Sequence, residues 1–166
     1  MFKIFNLFLK KKVEKEFEED SLVYISKLGN GGYGEVWKCN HYQYGNVACK
    51  IIRKSRLKKE DKNLVKNEIN IWYKLKHENI VPLLNVVYID NKILCITHLM
   101  DESLHDLHSR MIKLGTKPRI ITILNRLLEI CEAMIYLHNM NIIHRDIKSE
   151  NILVKNETMM LSDFGL

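Results

Sequence analysis

With 46% hydrophobic and 28% charged residues, the 166-residue chain has enough apolar content for the core of one domain, or of part of a larger one, and is excluded from the disordered class. Its net charge of +6 favours acidic surfaces, phosphates or nucleic acid, but 26 basic residues are mixed with 20 acidic ones and read mainly as solvated faces. Cys39, Cys49, Cys95 and Cys131 show no Cys-x-x-Cys spacing and no companion histidine pattern, so they indicate neither a zinc site nor a disulfide framework and fit a reducing, cytoplasmic compartment.

Residues 1–20 read as an N-terminal extension. The apolar stretch Phe2 to Leu9 is too short to span a bilayer, no small-residue cleavage site follows it, and Phe2 rules out N-myristoylation. Phe2, Phe5 and Leu9 share a helical face beside Lys10 to Lys12, so residues 2–12 suit a membrane surface or a partner groove, against the plainer reading of a docked or frayed extension.

From Ser21 the pattern becomes that of a folded domain. Leu22 to Lys27 alternates like a strand, and Leu28-Gly29-Asn30-Gly31-Gly32-Tyr33-Gly34 then puts glycines where backbone can approach a phosphate closely. A dinucleotide-binding fold would open a helix on such glycines, whereas Val36 to Cys39 continues as a second strand that turns back near Tyr44 to Asn46. Val47 to Ile52 is a third strand carrying Ala48 and Lys50. A lysine on an apolar strand is costly to bury unpaired. Glu68 is the expected partner, on a helix over Lys66 to Lys76 with Ile69, Trp72 and Leu75 at core-facing spacing, after a lysine-rich exposed loop and first turn from Arg53 to Lys66. That loop lacks interleaved aromatics, so no specific nucleic-acid partner is expected.

Leu83 to Tyr88 and Lys92 to Thr97 read as fourth and fifth strands joined by a turn at Asp90 and Asn91. Glu102 to Met111 looks like a short helix with His105 and His108 on its surface. Ile120 to Asn139 is a long helix whose apolar residues occupy more than one stripe and so predict burial on more than one side. Ile152 to Lys155 and Met159 to Ser162 form two short strands around Asn156-Glu157-Thr158.

Asp146, Lys148 and Asn151 lie between the long helix and the two short strands, and Asp163 directly follows the last strand. Phosphoryl transfer from a metal-bound nucleotide requires such groups: one carboxylate to accept the substrate hydroxyl proton, another carboxylate and an amide oxygen to hold Mg²⁺, and an ammonium to offset phosphate charge. His-Arg-Asp-x-Lys-x-x-Asn, followed twelve residues after Asn151 by Asp-Phe-Gly, resembles the eukaryotic protein kinase family. The likeness covers nearly all of Ser21 to Leu166.

The resemblance implies an α+β fold: a five-stranded antiparallel small lobe with one main helix and hinge, residues 21–100, and a partial, mainly helical large lobe, residues 101–166. It implies Asp146, Lys148, Lys50 and Glu68 as catalytic residues and Asn151 and Asp163 as Mg²⁺ ligands. ATP would be lined by Leu28, Gly29, Asn30, Gly31, Gly32, Tyr33, Gly34, Val36, Ala48, Lys50, Thr97, His98, Met100 and Leu153, with Thr97 as gatekeeper and His98 to Met100 as hinge. Lys148 points to the Ser/Thr type, and Lys148-Ser149-Glu150-Asn151 with Gly31 to Trp37 leans toward the tyrosine-kinase-like group. Arg145 implies control by a phosphorylated activation loop. Trp72 replaces the usual Leu or Met in a stack with Leu83, His144 and Phe164, so an indole must be accommodated there. No activation segment or Ala-Pro-Glu motif follows Leu166 in this sequence, so an N-terminal fragment of a kinase is expected. A partner would then cover its large-lobe surface; the alternative is a nucleotide-binding but catalytically poor remnant or interaction module.

Overall fold

The computed structural model describes residues 22–31, 34–89 and 91–163. Expectations for the extension, for Ser21, Gly32, Tyr33 and Asp90, and for Phe164 and beyond lie outside the described residues. The architecture is α+β, and its residues fall into two compact units.

The first unit comprises residues 22–63 and Leu83–Leu99. Its strands β1 (Leu22–Gly31), β2 (Gly34–His41), β3 (Gly45–Arg53), β4 (Leu83–Ile89) and β5 (Lys92–His98) form one antiparallel sheet in the order β1-β2-β3-β5-β4. Side chains alternate between the faces of a strand. Cys39, Val47, Cys49, Ile51, Leu94 and Ile96 therefore fall on one face, where with Leu22 they make the buried core. The register pairs Val36 with Lys50, Ala48 with Thr97 and Lys50 with Cys95, which puts these residues together on the opposite face. One period-two pattern thus separates the apolar core from the candidate ligand face.

β1 continues past Lys27 through the glycines to Gly31, because Asn30 and Gly31 still find ladder partners in Glu35 and Gly34. Gly34 is required by the sheet itself: a Cβ built there would meet the Ile51 carbonyl oxygen at 1.7 Å. The turn into β3 is closed by buried His41, whose Nδ1 accepts from the N–H groups of Gln43 (3.1 Å) and Tyr44 (3.2 Å) while its ring packs on both neighbouring tyrosines.

The helix α1 (Asp61–Lys74) begins five residues before the expected Lys66. Asp61 is the reason: its carboxylate accepts from the Lys58 N–H at 3.2 Å, the reach-back of a capping box, and adds negative charge to the first turn. Val65, Ile69 and Trp72 are its buried residues.

The second unit comprises Leu64–Pro82 and residues 100–163. Trp72 is accommodated by a hydrogen bond as well as by packing, its Nε1 donating to the Val81 carbonyl at 2.7 Å. The segment after α1 is tied to strand β8 (Thr158–Leu161) by buried Asn79, whose Nδ2 donates to the Met159 carbonyl and whose own carbonyl accepts from the Leu161 N–H. A short strand β6 (Glu102–Ser103), absent from the sequence reading, pairs with β7 (Ile152–Lys155), which pairs with β8. Ser103 then caps α2 (Leu104–Leu114) by accepting from the Asp106 N–H, and Gly115 ends it at φ 63°.

Helix α3 (Ile120–Asn139) has the expected bounds but not the expected burial. Only Ala133 and Leu137 are buried, while Ile120 (76%), Leu128 (59%) and Ile135 (59%) are exposed. Among the described residues one stripe alone meets the β7-β8 layer, where Glu129 accepts from the Met159 N–H at 2.7 Å. The expectation of burial on several sides is therefore not met. Beside that stripe an apolar hollow of about 670 Å³ is lined by Leu107, Met111, Leu127, Ile147, Ile152 and Met159 among others.

Gly29 of β1 and Gly34 of β2 should respond differently to substitution, because a Cβ at Gly29 meets nothing within 4 Å. Gly34→Ala is expected to lower unfolding free energy by about 1–3 kcal/mol through forced backbone displacement, with Gly29→Ala changing it far less. Equal losses in chemical denaturation would contradict the close-approach account.

Candidate active site

Everything in this site lies in the second unit. Helix α3 ends in a turn in which the N–H groups of Met140 and Ile142 both donate to the Leu137 carbonyl and Asn141 adopts φ 57°. The chain then enters the loop carrying His144, Arg145, Asp146 and Lys148, and a 3-10 turn, Ser149–Asn151, delivers it to β7. The β7-β8 hairpin reverses through Asn156 (φ 48°) and Glu157 (φ 69°), the two positive φ values that a tight hairpin turn demands. It brings Ser162 and Asp163 back beside the loop.

The Asp146 carboxylate is the centre of the polar contacts. Its Oδ2 accepts from Lys148 Nζ at 2.7 Å and from Asn151 Nδ2 at 2.8 Å, and its backbone carbonyl accepts from the same amide nitrogen at 2.9 Å. The Lys148 ammonium, and after it the Asn151 amide, hold the carboxyl below its ordinary value, and Asp146 in turn pushes Lys148 up. Asp146 is therefore an anion at neutral pH, half-exposed and open to a substrate hydroxyl.

His144 is buried, and its burial pushes the imidazole below its ordinary value. Its Nδ1 accepts from the Asp146 N–H at 3.4 Å, so the proton sits on Nε2, which donates to the Ser162 carbonyl at 3.0 Å. Ser162 closes the arrangement: both its backbone N–H (2.9 Å) and its Oγ–H (3.0 Å) donate to the Asn151 carbonyl. Arg145 (φ 67°) and Asp163 (φ 54°) flank these contacts in the left-handed region, where non-glycine residues are strained by about 1–3 kcal/mol each.

Asp146, Lys148 and Asn151 are thus brought together as the sequence predicted, and Asp163 follows Ser162 directly. Asn151 uses both amide hydrogens on Asp146, which leaves Oδ1, the atom suited to a hard cation, outside those bonds. Among the described residues no group of three or more His, Cys, Asp and Glu could cage a metal alone. An amide oxygen and one carboxylate fit Mg²⁺, which takes one or two protein oxygens and completes its shell with phosphates and water.

In the first unit, Leu28 is exposed on β1 with Gly29, Asn30 and Gly31 following it, and Gly34 and Val36 stand at the start of β2. Ala48 and Lys50 are half-buried on β3, opposite Thr97 and Cys95 respectively. Thr97 is buried, its Oγ1 donating to the His98 carbonyl at 3.2 Å, and His98 is exposed. Met100, Leu153 and the half-buried Glu68 belong to the second unit. His144 and Ser162 are the members whose polar roles the sequence reading missed; a serine directly before Asp163 was the available signal.

Comparison with known proteins agrees with this geometry. The family described as the protein kinase domain matches residues 22–166. The chain is 36% identical over 162 residues to the human serine/threonine-protein kinase DCLK3, covering 93% of this chain and 23% of that protein. It is 34% identical over 145 residues to human receptor-interacting serine/threonine-protein kinase 1, covering 85% of this chain and 21% of the relative. With cyclin-dependent kinase-like 1 of Caenorhabditis elegans it shares 34% identity over 147 residues, covering 85% and 40%. The chain thus spans well under half the length of each of these relatives.

A depressed carboxyl contributes stability that is present above its unfolded value and lost as pH falls through the folded one. Lys148→Ala removes the larger cause, so the Asp146 titration midpoint, read by carbon-13 NMR of its side chain, should move up toward the ordinary range. An unmoved midpoint would show that Lys148 does not set the Asp146 charge.

Proposed function

The chain belongs to the protein kinase domain family, and on that premise we propose that it transfers the γ-phosphate of Mg-ATP to a serine or threonine hydroxyl of a protein substrate. The observation that carries this reading is the half-exposed Asp146 carboxylate, fixed by Lys148 at 2.7 Å and Asn151 at 2.8 Å. In it, Asp146 accepts the proton of the attacking hydroxyl, and Lys148 offsets the charge of the phosphoryl group in transfer. Asn151 and Asp163 hold Mg²⁺, which supplies charge neutralisation on the nucleotide phosphates. The functional division we propose runs 1–20 as extension, 21–100 as the nucleotide lobe with its hinge and 101–166 as the catalytic lobe.

Lys50 is proposed to contact the α- and β-phosphates. Its location opposite Val36 on the face turned away from the apolar core supports this. Ala48, Thr97 and Val36 share that face and suit an adenine wall, and Leu28, Gly29, Asn30, Gly31 and His98 are the further residues of this unit proposed for nucleotide contact. A cytoplasmic location is supported by four free thiols, three of them buried. Among the described residues no helix is long and apolar enough to cross a membrane.

The exposed apolar stripe of α3, with Ile143 68% exposed beyond it, supports a partner or further protein segment that covers this surface. Left uncovered, such a patch forgoes burial worth roughly 25 cal/mol per Å². Catalysis of this kind is mostly positioning, so residues 1–166 alone are expected to be a poor kinase prone to self-association.

The deciding experiment measures phosphate transfer to a generic protein substrate by the chain, with and without a stabilising partner, against an Asp146→Asn control. Transfer lost in the control, by about 10²-fold or more, is expected. Nucleotide binding without Asp146-dependent transfer would favour a non-catalytic binding module instead. Lys50→Met should weaken ATP more than adenosine; equal losses would contradict its phosphate role. Dye-detected exposed apolar surface should fall on Leu128→Lys with the fold retained, and an unchanged dye signal would contradict an uncovered α3 stripe.

A further inference from the structure

Four residues of the catalytic loop and the end of β8 form a closed circuit of hydrogen bonds in which every donor points the same way round. Ser162 donates to the Asn151 carbonyl, Asn151 donates to Asp146, the Asp146 N–H donates to His144, and His144 donates to the Ser162 carbonyl. Within it the His144 ring accepts at Nδ1 and donates from Nε2, so those two bonds polarise one another through the imidazole. Three of these residues, Ser162, Asn151 and His144, are buried, and all of the circuit lies in one unit.

We propose that Ser162 is a positioning residue for phosphoryl transfer, its side-chain hydroxyl fixing the Asn151 peptide so that the Asn151 amide is aimed at Asp146 and its oxygen at the metal. This rests on the reading of the site given above. The Asn151 carbonyl has two lone-pair directions, and Ser162 fills both, one with its N–H and one with Oγ–H. Two donors from one residue pin the carbonyl in direction as well as distance, and the side chain of Asn151 inherits that orientation. The next residue in the chain is Asp163. The same clamp therefore sets the spacing between the amide and carboxylate oxygens proposed to share Mg²⁺. Any residue but proline would supply the N–H donation, whereas the Oγ–H donation belongs to the serine side chain.

Ser162→Cys tests this with little change of volume, since a thiol is a much weaker donor, and Ser162→Thr restores the hydroxyl. The first readout needs no ligand: loosening Asn151 weakens its donation to Asp146, so the Asp146 NMR titration midpoint should rise in Ser162→Cys and return in Ser162→Thr. The second is the Mg²⁺ concentration for half-maximal ATP binding by calorimetry, expected to rise about 3- to 10-fold in Ser162→Cys, the weight of one buried hydrogen bond, while Mg²⁺-free ATP affinity is unchanged. If Ser162→Cys lowers only the melting temperature and leaves both readouts at wild-type values, the positioning role is overturned and the site reading stands. A wild-type chain whose ATP binding ignores Mg²⁺ overturns the site reading instead, and the Asp146 midpoint then decides whether the circuit itself holds.

Discussion

The amide of Asn151 donating twice to Asp146 is the contact on which the rest of the catalytic unit depends. It converts an exposed carboxylate on a loop into an oriented one, and it can do so only because Asn151 is itself buried and held from behind by Ser162. The surrounding structure serves that arrangement. Helix α3 ends at the Asn141 turn so that His144 enters the interior, and the β7-β8 hairpin reverses tightly enough to return Ser162 to within 3.0 Å of the Asn151 carbonyl. Positive φ at Arg145 and Asp163 is the strain this geometry carries, offset by contacts that over-determine both segments.

The first unit solves a different problem, presenting a cation and small side chains on a sheet without exposing its core. Alternation does this, with Cys39, Cys49 and branched aliphatics on one face and Val36, Ala48, Lys50, Cys95 and Thr97 on the other. The glycine-rich hairpin is held in register by Glu35, which accepts from Trp37 Nε1 at 3.0 Å and lies near Lys27 and Arg53. The indole hydrogen bond first, and then the two cations, keep that carboxyl below its ordinary value. Exposed ion pairs of this kind add little stability singly, and their contribution here is alignment of three adjacent strands.

Much of this was legible in the sequence because the informative signals were local. Alternation marked β1, strand-like runs between turn signals marked β2 to β5, and the spacing of Asp146, Lys148 and Asn151 marked the loop chemistry. What escaped depended on partners distant in sequence. Nothing near Ser162 announces that it will reach Asn151, and nothing near Glu102 announces a strand that needs Val154 as its partner. Asp61 stands among lysines, which masks the start of α1 in the sequence. Gly34, among the glycines expected near a phosphate, also meets a packing demand invisible in the sequence, since the approach of the Ile51 carbonyl leaves no room for a side chain there. The apolar stripes of α3 correctly signalled a wish for burial, but a helix sequence cannot say which surface will meet it.

On the proposed reading, the oxygens of Asn151 and Asp163 form a metal-dependent nucleotide site beside an anionic Asp146. Calorimetric ATP binding to the wild-type chain and to Asp163→Ala, each with and without Mg²⁺, tests it. Mg²⁺ should strengthen ATP binding to the wild type, with that gain lost in Asp163→Ala. ATP affinity indifferent both to Mg²⁺ and to the substitution would overturn this reading.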